Sequence, residues 1–183
     1  MQEVKQNVSI VKGPDTAPDR DLRFISLVDQ YQEPLLRMCI LYLRDKTLAE
    51  DAVQETFLKV YRTLDSFRGE CSEKTWIMKI AMHVCYDINR SGWFRHTNRH
   101  LTPEMLADQT LAEQPDERDE ELAAAVMNLP RRLREVILLY YYQGMKVNDI
   151  ADALNISHSS VSGRLVRGRE RLKNMLEGRE FDE

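Results

Sequence analysis

Two short apolar stripes joined by a three-residue turn constrain this chain more than any other feature. In VNDIADAL (147–154), Val147, Ile150, Ala151 and Leu154 fall at i, i+3, i+4 and i+7, the spacing of one buried face on a two-turn helix. Asn155-Ile156-Ser157 follows as a tight connection, with Ile156 available to pack inward and Ser157 able to cap what comes next. A second stripe, Val161, Leu165, Gly168 and Leu172, predicts a longer helix behind that cap. Two helices at such a turn form a helix-turn-helix.

The rest of the chain is consistent with helices throughout. A length of 183 residues allows one mid-sized domain or two small ones, and 43% hydrophobic content is ample for a core. Only 7 Gly and 6 Pro accompany a charged fraction of 31%, too few turn residues for a strand-rich fold. The fold class expected is all-α. Cys39, Cys71 and Cys85 are odd in number and lack zinc-type spacing, and MQEVKQNVSIVKGPDTAPDR has no apolar run of the signal-peptide kind. A cytoplasmic protein is expected, with no direct membrane insertion, since no stretch approaches the roughly 20 apolar residues of a spanning helix.

Residues 1–20 read as a mobile tail, with Gly13, Pro14 and Pro18 and no sustained period. A first helical domain is expected over 21–91. Its first stripe is Leu22, Ile25, Val28 and Tyr31, and Glu33-Pro34 predicts a break before a second helix from about Pro34 to Leu43. Thr47 and Glu50 fit a capping box, opening a helix that buries Ala49, Ala52, Val53, Phe57, Val60, Tyr61 and Leu64. DSFRGECSE reads as a loop, and residues 74–90 as a fourth helix with Ile77, Ile80, Ala81, Val84 and Ile88 inward. Residues 92–120 read as a linker, and a second domain is expected over 121–178. There Leu129, Leu133, Val136, Ile137 and Tyr140 form one stripe, with Gly144 as the stop.

Charge divides the chain more sharply than its formal net value of -4 suggests. Between Leu101 and Leu122, Glu104, Asp108, Glu113, Asp116, Glu117, Asp119, Glu120 and Glu121 face Arg118 alone. From Arg131 to Lys173 the balance reverses, and Arg164, Arg167, Arg169, Arg171 and Lys173 crowd into the helix behind Ser157. The early residues of a helix in a major groove meet base edges and must be short or polar. His158, Ser159, Ser160, Ser162 and Gly163 qualify. Arg164 and Arg167 can reach a base or a phosphate, while Arg169, Arg171 and Lys173 supply attraction to the backbone. The combination points to DNA binding over a merely solvated amphipathic helix.

The stretch LAEDAVQETFLKVYRTLDSFRGECSEKTWIMKIAMHVCYDINR resembles region 2 of the extracytoplasmic-function sigma factors, within the sigma-70 family of RNA polymerase. LPRRLREVILLYYYQGMKVNDIADALNISHSSVSGRLVRGRERLKNML resembles their region 4. The resemblance covers nearly everything from Leu22 to Leu176, and EDAVQETFLKVY is its most specific signature. It implies two small helical domains joined by an acidic flexible linker, in a factor that directs core polymerase to promoters, as in a stress or envelope response. The positions matching Asp51, Gln54, Glu55 and Leu58 dock in that family on the clamp helices of the polymerase β′ subunit.

The loop and helix after them match the elements that open and read the −10 promoter element. Phe67, Arg68, Trp76, His83, Asp87 and Arg90 are the implied contacts, with two alternatives open: Phe67 and Trp76 as core anchors instead of stacking platforms, and Asp87 with Arg90 as a helix-orienting salt link. His83 stands where the family often has Asn, a change that either alters base preference or is neutral. The reading helix implies −35 contacts from His158, Ser159, Ser160, Ser162, Gly163, Arg164, Arg167 and Arg169, with region 4 also touching the β flap. Ser162 stands where relatives often have Lys, and Gly163 and Gly168 where Ser or Ala is usual. The linker either mimics nucleic acid in the polymerase cleft or merely solubilises.

The implied partners are bacterial core RNA polymerase, promoter DNA and an anti-sigma factor, which in this family is often anchored in the membrane. No cofactor is implied, and the chain is not expected to be an enzyme, since no nucleophile, phosphate loop or catalytic carboxylate pair stands out. His96 and His100 have helical metal-ligand spacing but no third ligand, so no metal site is expected. The competing function is an autonomous helix-turn-helix regulator of transcription.

Overall fold

In the computed structural model the described residues are 17–90 and 117–178, and all of their regular structure is helical. Seven α-helices appear in this order: α1 (Ala17–Leu43), α2 (Lys46–Thr63), α3 (Glu73–Arg90), α4 (Glu117–Asn128), α5 (Arg131–Ile137), α6 (Val147–Leu154) and α7 (His158–Leu176). A 3-10 turn over Leu64–Ser66 follows α2, and a π-helical segment over Leu138–Tyr142 continues α5. The linker core, His96 and His100 lie outside the described residues, as does most of the expected tail, although α1 starts at Ala17, inside it.

The break expected at Pro34 does not occur. α1 runs for 27 residues with Pro34 inside it. Proline removes one hydrogen bond and crowds the preceding turn, yet the residues on both sides are anchored: Leu27 before it, and Leu35, Met38 and Cys39 after it, are buried in one core. Tertiary packing outweighs the local penalty, and the first domain has three long helices where four were expected. α1 ends at Arg44, whose left-handed φ of 59° lets its N–H reach Ile40 O at 2.8 Å.

Asp45, not Thr47, caps α2, its carboxylate accepting from Leu48 N at 3.1 Å. Ala49, Ala52, Val53, Phe57, Val60 and Leu64 are buried as the stripe predicts. Tyr61 is not: its ring meets Phe24 edge-on at 4.9 Å, and its exposed hydroxyl donates to Asp21 at 3.0 Å. Ser72 caps α3 through Thr75 N at 3.0 Å.

In the second domain the π-segment adds a residue to a turn and shifts the register of everything after it. Leu138 and Leu139 are therefore buried, whereas Tyr140, expected inward, is exposed with Tyr141 and Tyr142. Asn155, at φ 52°, makes the left-handed turn out of α6, and Ser157 caps α7 by accepting from Ser160 N at 3.2 Å. Gly168 allows α7 to approach α5, since a Cβ there would stand 2.9 Å from Ile137 Cγ1.

The two domains do not stand apart. Their buried residues form one continuous cluster, with α3 packed on α6 and α1 packed on the π-segment, α4 and α5.

Candidate nucleic-acid interface and docking face

Three surfaces carry the residues singled out in the sequence. On α2, the side facing away from α1 and α3 presents Asp51, Gln54 and Leu58 to solvent, with Leu58 51% exposed. Glu55 is half-buried and lies 3.6 Å from Lys59 Nζ, an i, i+4 ion pair. These positions follow helical spacing because the opposite face is committed to the core. The result is an acidic rim around one exposed leucine.

The second surface comprises the turn after α2 and the outer face of α3. Phe67 and Trp76 stack on each other with centroids 4.7 Å apart and planes at 28°, and both are half-buried. Arg23 of α1 lies 5.8 Å from the Phe67 ring and pairs with Glu73 at 2.8 Å, bracing the start of α3. The aromatic pair is thus held from behind while keeping an open edge. Arg68 is exposed in the turn, and His83, Asp87 and Arg90 form an exposed row along α3 at i, i+4 and i+7.

The third surface is α7. His158 and Ser159 are exposed at its start, and Ser160, Ser162 and Gly163 are half-buried, with Ser160 engaged by the Ser157 cap at 2.8 Å. Arg167 and Arg169 are exposed. Arg164 is turned inward instead, its guanidinium 2.6 Å from Glu135 Oε1. Of the two arginines one turn apart, only Arg167 faces solvent.

Glu135 is 3% exposed and also accepts from the Tyr86 hydroxyl of α3 at 2.8 Å. Burial pushes its carboxyl above the usual range, opposed by the Tyr86 hydrogen bond and by Arg164. Burial raises the Tyr86 phenol too, with the Glu135 charge adding to it. The Arg131 guanidinium lies 4.6 Å from the Tyr86 ring centroid. Next to this cluster, an open cleft of about 590 Å³ is lined by Tyr86, Arg131, Arg132, Glu135, Leu154, Ile156 and Arg164. Arg134, 7% exposed, donates to Leu41 O and Tyr42 O at 3.3 and 3.1 Å, satisfying carbonyls that the end of α1 leaves without helical donors. Its guanidinium is pushed down to about 10, chiefly by burial and then by Arg44. Gln143 donates to Pro34 O at 2.9 Å.

Sequence reasoning did not single out Tyr86, Arg134, Glu135 or Gln143. Their partners lie 49 to 109 positions away or on another helix, and no local period reveals such a match. Among the described residues no three His, Cys, Asp or Glu side chains gather as metal ligands, and no helix is long and apolar enough to cross a membrane.

A helical domain with an exposed acidic row on α2, coupled to a helix-turn-helix whose second helix is basic, is the layout of a two-part transcription factor. Comparison with known proteins identifies the parts. The family model for sigma-70 region 2 matches residues 27–95, and the model for sigma-70 region 4 matches residues 119–172. The chain is 31% identical to the ECF RNA polymerase sigma factor SigX of Bacillus subtilis (strain 168) over 84% of each chain. It is 29% identical to SigW of the same organism over 94% of this chain and 96% of that one. In fold it resembles the sigma factor RpoE from Bartonella quintana, solved in complex with the anti-sigma factor NepR, with a TM-score of 0.69 at 23% identity, covering 85% and 97% of the two chains. CnrH, solved with the cytosolic domain of CnrY, gives a TM-score of 0.66 at 24% identity over 87% and 91%. The chain belongs to the extracytoplasmic-function sigma factors of RNA polymerase, of the sigma-70 family. An autonomous helix-turn-helix regulator is not favoured.

Proposed function

We propose that the acidic face of α2 docks the chain on the β′ clamp helices of core polymerase, and that the two domains divide promoter recognition. Asp51, Gln54, Glu55 and Leu58 form the docking contact: one leucine to desolvate, ringed by acids and an amide that steer toward a basic partner. The exposed edge of the Phe67–Trp76 stack, with Arg68, His83, Asp87 and Arg90, meets the opened −10 strand, where unstacked bases need π-faces and donors. His158, Ser159, Ser160, Ser162 and Gly163 enter the −35 major groove, with Arg164, Arg167 and Arg169 supplying base or phosphate contacts.

The chain catalyses nothing in this scheme. It positions DNA for the polymerase, in the cytoplasm, and residues 92–120 act as the tether between domains 21–91 and 121–178. An anti-sigma factor is the expected regulator, because RpoE, a solved structure of similar fold, is a complex with such a partner.

The observation that carries this reading is the exposed Asp51–Gln54–Leu58 row on a helix otherwise committed to the core. The test is co-elution of the full chain with bacterial core RNA polymerase, beside a variant carrying Asp51→Lys and Glu55→Lys. Co-elution of the native chain and its loss in the variant are expected; equal co-elution of both would remove α2 as the docking face.

A further inference from the structure

Two thiols that the docking and reading surfaces do not use meet inside the first domain. Cys39 of α1 and Cys85 of α3 are both 0% exposed, and their sulfurs stand 3.8 Å apart although the residues are 46 positions apart in sequence. Both are unbridged. A disulfide bond is about 2.05 Å long, so each sulfur has to move by only about 0.9 Å to close it. The third cysteine, Cys71, lies just before α3, roughly 18 Å from Cys85 along the helix at ~1.5 Å per residue, and does not compete for either sulfur.

We propose that Cys39 and Cys85 form a redox site, which a peroxide converts to a disulfide that ties α1 to α3 and encloses α2 in a covalent loop. The chemistry takes two steps. The Cys39 thiol is held protonated, because its hydrogen bond with Cys85 and then burial push it well up, and this assigns the first attack to Cys85. The Cys85 thiolate displaces hydroxide from hydrogen peroxide and becomes a sulfenic acid; the hydroxide and the thiol proton leave as water. Cys39 then attacks the sulfenic sulfur, and its proton leaves with the sulfenic hydroxyl as a second water. Each sulfur gives up one electron, and the peroxide O–O bond takes both. The second step is fast because the partner sulfur is already in contact.

Burial sets the pace of the first step, since a buried thiol is inert until the structure around it opens. Cys85 lies five residues before the end of α3 at Arg90, and helix ends open far more readily than a core does. Asn89 Nδ2, which donates to Cys85 O at 3.1 Å, is the tie that such fraying breaks. Peroxide enters as the last turns of α3 open, and the S–S bond forms as they close. The resulting loop, 39–85, contains all of α2 and the turn after it, so the cross-link restricts the unfolded chain far more than the folded one. Oxidation therefore strengthens the first domain, while Asp51, Gln54 and Leu58 stay outward on α2.

The test uses the full chain carrying Cys71→Ser, treated with hydrogen peroxide, then unfolded and capped with N-ethylmaleimide. Intact mass is expected to show the loss of two hydrogens and no added maleimide. A tryptic digest is expected to hold the Cys39 and Cys85 peptides linked, and dithiothreitol to free both. The urea midpoint of the oxidised chain should rise by about 1–2 M and return on reduction. Adding Cys39→Ala, with folding checked by circular dichroism, removes the second step and is expected to leave a sulfenic acid at Cys85 that dimedone traps; the linked peptides and the midpoint decide the matter if that variant folds poorly. Two thiols still free after peroxide, sulfurs oxygenated without a link, or a link between two chains each overturns the site. A folded Cys39→Ala chain that dimedone does not label overturns the first step, and a linked chain whose midpoint falls overturns the stabilising tie. None of these readouts depends on polymerase or DNA.

Discussion

Two glycines in α7 read alike in the sequence and do opposite work. Each lowers helix stability by roughly 1 kcal/mol relative to alanine when nothing else changes. A Cβ at Gly163 would meet only the Arg167 guanidinium, nearest at 3.8 Å, so nothing opposes the gain. A Cβ at Gly168 would stand 2.9 and 3.1 Å from the Ile137 side chain, inside the packing of α7 on α5. Gly163→Ala is therefore expected to stabilise by about 1 kcal/mol, and Gly168→Ala to destabilise by about 1–3 kcal/mol through overpacking; chemical denaturation of both reads the signs directly. Gly168 was legible as a stripe position, between Leu165 and Leu172, but not as a close approach. That role depends on Ile137, thirty-one positions away and on another helix.

At the scale of elements, the exposed acidic row of α2 and the basic helix α7 were legible because each is written in one helix with one period. Asp51, Gln54 and Leu58 are outward for the same reason that Ala52, Val53 and Phe57 are inward. Reversing Asp51 and Glu55 to Lys should lower stability by no more than about 1 kcal/mol while polymerase binding is lost, since Asp51 is exposed and Glu55 only exchanges an i, i+4 ion pair with Lys59 for a like-charge one. For α7, Arg167 and Arg169 face solvent and Arg164 does not. With any duplex DNA as probe, Arg167→Ala and Arg169→Ala should each reduce the slope of log affinity against log salt by about 0.9, the share of one phosphate. Arg164→Ala should reduce it by less in the free protein, because that guanidinium is held by Glu135; an equal drop would mean the ion pair opens readily. Element boundaries were less legible. Pro34 reads as a break, and the chain runs through it because Leu27, Leu35 and Met38 bury on both sides, a tertiary effect that local rules omit. Tyr140 reads as core and is exposed because the π-segment shifts the helical phase by one residue.

A shared core and polar ties join the two halves of the molecule, and Arg134 is the residue on which their cooperativity is best tested. Its guanidinium gives two hydrogen bonds to the last carbonyls of α1, at 3.3 and 3.1 Å, from a site 7% exposed. Both bonds come from one nitrogen, Nη1, and a lysine there keeps the charge but must bring a compact, more strongly hydrated ammonium into the same buried site. A buried acceptor left without a donor costs about 1–3 kcal/mol. Arg134→Lys is thus expected to lower stability by about that amount, and the loss should register in both domains, because α1 and α5 are stabilised by the same contact. Native-state hydrogen exchange separates the possibilities. Equal loss of protection in the amides of α1 near Leu41–Arg44 and in those of α5 means the domains open together, whereas loss in α5 alone means region 4 unfolds off a region 2 that stands without it. The first outcome would also explain why the packing between domains was invisible in the sequence: each helix was already amphipathic on its own account, and the residues joining the halves, Tyr86, Arg134, Glu135 and Gln143, are polar side chains that acquire meaning only when two distant surfaces are brought together.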